Sequence, residues 1–251
     1  MDPNEKVAII TGGASGIGLA TAKLLASRGA RIVIADVQTG PGEQAAADLE
    51  ASGAQACFVE TDVLERAHLQ HMLDVATERF GRVDIAYNNA GVSESGDFLA
   101  PGADSWQRCL AIDLKAVIEA TQLEVQHFRK QGGGGVIINT ASMAGLVPVS
   151  PSPIYAAAKA GVVHFTRSMV HLGTEGIRVN VICPQYTDTP MVRAGGEAAM
   201  EFMRREVGGI LVPEQIADGV LMLIEDDTKA GAVMRVTFRK GIEYWFEHRG
   251  R

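Results

Sequence analysis

The sequence predicts an α/β fold built on one doubly wound parallel sheet of about seven strands, with helices on both faces and a single domain over residues 1–251. Three observations carry this. Short apolar runs alternate with stretches of helical spacing almost from end to end. The runs are continuously apolar instead of alternating, as in strands covered on both faces. Glycines and polar residues gather where the runs end, which in such a sheet is the edge where ligands bind.

Taken in order, Val7 to Ile10 is the first strand, ending in glycines before Ile17 to Arg28 takes up helical spacing. Arg31 to Ala35 follows as a strand stopped by Asp36, which completes a βαβ unit. Pro41 to Ser52 is a second helix, Gln55 to Val59 a third strand, and Leu64 to Phe80 a third helix that Gly81 terminates. Val83 to Tyr87 is the fourth strand, after which the connections lengthen. Asp104 to Gln131 reads as one long helix, Val136 to Thr140 as the fifth strand, Tyr155 to Gly173 as its partner helix and Arg178 to Ile182 as the sixth strand. Ser150, Pro151, Ser152 and Pro153 keep the loop before Tyr155 out of a helix. Residues 185–212 break the rhythm with an insertion that holds a helix from Glu197 to Glu206. Pro213 to Ile224 is a further helix and Ala232 to Thr237 a last strand. The glycine run 132–135 is too short to divide domains.

A formal charge of −7 and a pI near 5.4, with no cluster of lysine and arginine, argue against nucleic acid or an anionic membrane as partner. A small dissolved substrate is the expected ligand. Cys57, Cys109 and Cys183 are odd in number and widely spaced in apolar sequence, so they read as reduced core residues. The histidines show no ligand spacing, and no metal is expected. The opening residues MDPNEK lack the basic region and apolar core of a signal peptide, and no run is long enough to span a bilayer. The expected location is cytoplasmic.

The first chemical constellation is TGGASGIG at 11–18, directly after the first strand and opening the first helix. Gly12, Gly16 and Gly18 present no side chain to block a pyrophosphate from the backbone, and the helix N-terminus adds N–H donors and a positive dipole end. Any tight strand-to-helix connection needs such residues, so the glycines gain weight from Asp36 at the end of the second strand. A carboxylate there accepts hydrogen bonds from both hydroxyls of an adenosine ribose and repels a 2′-phosphate, which favours NAD over NADP. Asp62 with Val63, and Asn88-Asn89-Ala90-Gly91, put further polar groups at the same edge.

The second constellation lies between Val136 and Met169. On a helix, Tyr155 and Lys159 are four apart and share one face, so an ammonium stands beside a phenol and favours the phenolate. That is what a tyrosine needs to accept a proton near neutral pH. Ser142, at the end of the fifth strand, can reach the same substrate oxygen. A lone Tyr-x-x-x-Lys would equally fit an amphipathic helix with a core tyrosine and a surface lysine, so its neighbours decide.

Together these residues resemble the short-chain dehydrogenase/reductase family over essentially the whole chain. Thr11, Gly12, Gly16, Ile17 and Gly18 match its glycine motif, Asp62 its adenine-contacting acid, residues 88–91 its Asn-Asn-Ala-Gly stretch, and Ser142, Tyr155 and Lys159 its Ser, Tyr and Lys. The stretch LIEDDTKAGAVMRVTFRKGIEY, outside those motifs, is similar to one NAD-dependent branch. The resemblance implies a Rossmann-like fold and NAD-dependent hydride transfer that interconverts a lipophilic secondary alcohol and its ketone. It further implies that Tyr155 takes the hydroxyl proton, that Lys159 lowers the phenol pKa and holds the nicotinamide ribose, and that Ser142 orients the oxygen. Cofactor contacts are implied for Gly12, Ser15, Gly16, Ile17, Gly18, Asp36, Val37, Asp62, Val63, Asn89, Ala90, Gly91, Tyr155, Lys159, Pro184, Thr187 and Thr189. A homo-oligomer, dimer or tetramer, formed through two long helices is implied as well.

Three positions depart from the family pattern. Asp113 stands where the family places a catalytic asparagine, and its carboxylate can hold Lys159 charged while opposing a charge on Tyr155. The other reading of Asp113 is a group that only satisfies backbone donors in a distorted helix. Gln185 replaces a glycine after Pro184 and is expected to alter the backbone beside the nicotinamide, since it adopts positive φ less freely. Ser152, with Met143 and the Leu146 to Val149 run, changes the expected pocket wall. Residues Met191 to Gly209, with Met200, Phe202, Met203 and Val207, read either as the apolar side of a lid within 185–212 or as an ordinary surface helix. Two function classes stay open: an active secondary-alcohol dehydrogenase, or a catalytically impaired nucleotide-binding member acting as a sensor or assembly subunit.

Overall fold

Alternate residues of the first strands face opposite ways, and this sets the layers of the molecule. In the computed structural model, which describes residues 1–94, 96–100, 102 and 104–245, β1 (Val7–Thr11) and β2 (Arg31–Asp36) lie side by side and parallel. Ala8, Ile10, Ile32 and Ile34 pack with α1 (Gly16–Ser27), α2 (Thr39–Ala51) and α9 (Pro213–Glu225). Val7, Ile9, Val33 and Ala35 pack on the other face with α3 (Arg66–Phe80) and α5 (Val117–Gln131). With both faces covered, a polar strand residue without a partner is costly, which accounts for the continuous apolar runs.

The remaining strands are β3 (Ala56–Glu60), β4 (Ile85–Asn88), β5 (Gly135–Thr140), β6 (Ile177–Pro184), β7 (Val233–Thr237) and β8 (Gly241–Trp245). Their order is β3-β2-β1-β4-β5-β6-β7-β8, parallel from β3 through β7. The winding reverses between β1 and β4, so a crevice opens at their carboxyl ends beside Thr11 and Asn88. The last strand, β8, pairs antiparallel with β7 and extends the expected seven to eight. Gly241 and Glu243 interrupt its apolar residues, and the strand is only partly buried at the sheet edge, so it lacks the run that marked the others.

The long helix from residue 104 divides into α4 (Ser105–Leu110), a π-helical turn at Ala111–Ala116 and α5. α6 (Pro153–Ser168) opens two residues before Tyr155, because a proline at the first helical position loses no hydrogen bond and brings a fixed helical φ. The insertion holds a short α7 (Pro190–Arg193) and α8 (Gly196–Val207). Gly81 ends α3 in the left-handed conformation at φ 85°, as its type allows. No helix among the described residues is long and apolar enough to cross a membrane.

Beneath the crevice lies a polar network inside the apolar layers. The Asn88 amide donates to Glu124 Oε2 at 2.9 Å and to Asn139 Oδ1 at 3.0 Å, and Asn139 Nδ2 donates to Thr166 Oγ1 at 3.0 Å. Burial pushes the Glu124 carboxyl up to about 8, only partly offset by the Asn88 hydrogen bond. A carboxyl whose pKa is raised in the folded state keeps its proton there while the unfolded chain loses it. Stability should therefore fall by about 1.4 kcal/mol per pH unit as pH rises from the unfolded value near 4.3 towards 8. Glu124→Gln, which keeps the shape and cannot ionise, should be more stable than the parent at pH 8 and closer to it at pH 5, as read by thermal unfolding. An equal offset at both pH values would show that Glu124 does not titrate in this window.

Candidate active site

The turn between β1 and α1 is built so that backbone meets backbone. Gly12 and Gly16 lie at φ 63° and 52°, a region that other residues enter at a cost. A Cβ on Gly18 would stand 2.2 Å from the Gly12 carbonyl oxygen, and one on Gly12 would stand 3.0 Å from Ala90 Cα. Ser15 caps α1 without a hydrogen bond from its own side chain, and no acidic residue occupies the first turn. Asn89 Nδ2 donates to the carbonyls of Thr11 and Gly12 at 3.1 and 3.2 Å, while the N–H groups of Asn89 and Ala90 donate to Thr11 Oγ1. The Asn-Asn-Ala-Gly stretch thus fastens the end of β4 to the glycine turn. Asp36 is buried at the end of β2 and accepts from the N–H groups of Ala14 and Gln38, both at 3.0 Å. Each of its oxygens keeps a second lone pair. Val37 beside it is exposed, and Asp62 closes the turn after β3 by accepting from the Leu64 N–H.

Ser142, Tyr155, Lys159 and Asp113 converge where β5, the π-helical turn and α6 meet. Lys159 Nζ is 2.9 Å from Asp113 Oδ1 and donates to the Thr140 carbonyl at 3.1 Å, and both charged side chains are buried. The same nitrogen lies 5.5 Å from the centre of the Tyr155 ring. Asp113 also accepts from the Val92 N–H at 3.3 Å and faces the Cys109 thiol at 3.7 Å. A Cβ on Gly91 would lie 2.7 Å from Asp113 Oδ1, so a side chain at that position would collide with the ion pair. Burial pushes the Tyr155 phenol up; the Lys159 ammonium lowers it, the Asp113 carboxylate raises it and the Ser142 hydroxyl lowers it, with a net rise. Burial disfavours the Lys159 ammonium, but the Asp113 carboxylate and Tyr155 outweigh it and hold the lysine charged. Ser142 Oγ accepts from the Ala144 N–H at 3.1 Å, which fixes the hydroxyl at the start of a 3₁₀ turn.

Residues 6–199 match the family model described as short chain dehydrogenase. The chain belongs to the short-chain dehydrogenase family. It is an oxidoreductase of that family. It is 37% identical over 266 residues to a mouse (Mus musculus) 15-hydroxyprostaglandin dehydrogenase [NAD(+)], a match that covers 97% of this chain and 94% of the mouse protein. A Sinomonas cyclohexanicum cis-4-hydroxycyclohexanecarboxylate dehydrogenase is 39% identical over 92% of this chain and 95% of its own. Among solved structures, a short-chain type dehydrogenase/reductase from Mycobacterium marinum superposes with a TM-score of 0.89 at 29% identity, over 94% of this chain and 95% of its own.

Against this family background, the departures acquire a structural account. Asp113 sits in the π-helical turn and meets both Lys159 and the Val92 N–H. Gln185 stays out of the positive-φ region, as its type favours, since Glu5 is the one non-glycine residue at positive φ among those described. Its amide joins the sheet edge, with Oε1 accepting from the Phe238 N–H and its own N–H donating to the Val236 carbonyl.

Segment 185–212 is pinned at its base. Asp188 N–H donates to the Leu211 carbonyl at 2.8 Å and Leu211 N–H to the Tyr186 carbonyl at 2.9 Å. Thr187 pairs with Leu211 in a short bridge, Thr189 lies against Gly16, and Pro184 ends β6. Met200 is buried beneath α8, whereas Phe202 is 57% exposed, so only part of the apolar side is docked. Sequence reasoning missed Glu94, whose Oε2 accepts from the N–H groups of Ile154 and Tyr155, both at 2.9 Å. No local signal pointed to it, because Ser152 at the cap position of α6 is a residue type suited to cap the helix itself, and only the structure shows that it makes no side-chain cap.

Proposed function

We propose that the protein is a NAD-dependent dehydrogenase that interconverts a lipophilic secondary alcohol and its ketone, with Tyr155 as the proton acceptor in oxidation. The observation that carries this reading is the buried Lys159 ammonium beside the Tyr155 ring, with the Ser142 hydroxyl at the same phenol. Ser142 and Tyr155 both offer an oxygen to the substrate hydroxyl; Tyr155 takes its proton, and Lys159 stabilises the phenolate that results. Gly12, Ser15, Gly16, Ile17 and Gly18 would hold the pyrophosphate of NAD, and Asp36 and Val37 its adenosine ribose. Asp62 and Val63 would border the adenine, Asn89, Ala90, Gly91 and Lys159 the nicotinamide ribose, and Pro184, Thr187 and Thr189 the carboxamide. When bound, the nicotinamide supplies the acceptor for the hydride. The segment 185–212 is read as a lid over the substrate, its pinned base serving as the hinge. A homo-oligomer is part of the same reading, and light scattering tests it.

A panel of aliphatic, alicyclic, aryl and hydroxylated-lipid secondary alcohols, each offered with NAD and with NADP and followed by absorbance of the reduced cofactor, tests the function. NAD should be used well over NADP, because the buried Asp36 carboxylate repels a 2′-phosphate. Asp36→Ala should narrow that gap. Equal use of both cofactors by the parent protein would refute the assignment of Asp36. Cofactor binding without turnover of any alcohol would favour the impaired, nucleotide-sensing reading.

A further inference from the structure

The carboxylate of Glu94 occupies a position that only the folded chain creates. It comes from the segment after β4, sixty residues before α6, and accepts from the N–H groups of Ile154 and Tyr155 at 2.9 Å each. Those are the second and third residues of α6, whose exposed N–H groups and dipole end otherwise attract anions. Ser152, a residue type well suited to cap this helix, makes no side-chain cap. One of the two N–H groups belongs to Tyr155 itself, so the charge sits on the backbone of the residue whose phenol faces the reacting oxygen. The cation of the site is already matched, since Lys159 pairs with Asp113 at 2.9 Å.

We infer that Glu94 is a specificity-determining residue that makes the cleft select uncharged secondary alcohols and ketones over those carrying a carboxylate. An anionic substrate would find the helix end already filled by a negative group and the Lys159 ammonium already engaged. Juxtaposing like charges in a partly desolvated cleft discriminates strongly against the wrong partner. The inference rests on the reading of the cleft as a secondary-alcohol site. It addresses a choice left open by the relatives, since one of them is a dehydrogenase of a hydroxycyclohexanecarboxylate.

The test compares cis-4-hydroxycyclohexanecarboxylate with its primary amide, a pair matched in shape and differing in charge. With NAD, kcat/KM for the amide should exceed that for the acid by about tenfold or more. Glu94→Gln keeps an oxygen that can accept from both N–H groups and removes only the charge. In that variant the KM for the acid should fall relative to that for the amide, and the ratio should move towards one. Glu94→Ala, which removes the cap as well, should lower kcat for both substrates alike. Equal use of acid and amide by the parent, or an unchanged ratio in Glu94→Gln, would overturn the inference. Turnover of neither compound would count against the alcohol-oxidation reading, and a binding measurement then still decides on Glu94. Quenching of NADH fluorescence by cyclohexanecarboxamide but not by cyclohexanecarboxylate, with the difference lost in Glu94→Gln, supports it; equal binding of the two by the parent overturns it.

Discussion

Replacing Tyr155 with phenylalanine is expected to lower kcat for alcohol oxidation by about 10²–10⁴ while NAD affinity is nearly unchanged. The ring is half-buried against the Lys159 ammonium, which lies 5.5 Å from its centre, and that packing survives the loss of one oxygen. In the proposed mechanism, what disappears is the group that accepts the substrate proton. Ser142 cannot substitute, because an aliphatic hydroxyl ionises far less readily than a phenol, while the ammonium of Lys159 is held by Asp113 and the Thr140 carbonyl. Steady-state kinetics with titration of NAD by tryptophan fluorescence measures both quantities. Near-parent turnover in Tyr155→Phe would remove the tyrosine from the chemistry.

The second large effect is expected at Asp113. Its carboxylate opposes ionisation of Tyr155 and neutralises the charge on Lys159 that would otherwise promote it. Removing that negative charge therefore lowers the phenol pKa. In oxidation the active form is the deprotonated tyrosine, so the acidic limb of the kcat/KM profile should move to lower pH in Asp113→Asn, and activity below neutrality should rise. The asparagine carbonyl can still accept from Lys159 Nζ. Alanine cannot, and Asp113→Ala leaves a buried ammonium without its partner, which typically costs 3–5 kcal/mol of stability, on the order of half of a domain's total. The contrast between the two variants separates electrostatic tuning from structural support. Superimposable acidic limbs for Asp113→Asn and the parent would show that the carboxylate leaves the tyrosine untouched.

Most of the sheet was legible because burial on both faces leaves an unambiguous mark, as in Val136 to Ile138 or Val179 to Ile182. The helix stops at Gly81 and Gly132 were legible for a similar reason, since glycine is suited to the conformation found there. β8 was not, because a half-buried edge strand with Gly241 and Glu243 in it has no distinctive pattern. The positions of Tyr155 and Lys159 on one helical face followed from their spacing. Their meeting with Asp113 was legible only through the family resemblance, since the π-helical turn at Ala111–Ala116 that carries it has no sequence signature here. Gln185 was legible only in part. Its type disfavours positive φ, as is found, whereas its side-chain partner, the Phe238 N–H more than fifty residues away, is supplied by tertiary contact. Glu94 and Glu124 were illegible on the same ground: one caps a distant helix and the other joins a buried amide network, and both partners are supplied by tertiary contact.

The central claim is that this site removes a hydride from the carbinol carbon of a secondary alcohol. The most direct test supplies the best alcohol of the panel labelled with deuterium at that carbon and analyses the reduced cofactor by mass spectrometry and NMR. One deuterium at C4 of the dihydronicotinamide, on a single face, with a slowed turnover when chemistry limits the rate, is the predicted result. Reduced cofactor without deuterium, or loss of the alcohol with no reduced cofactor formed, would contradict it.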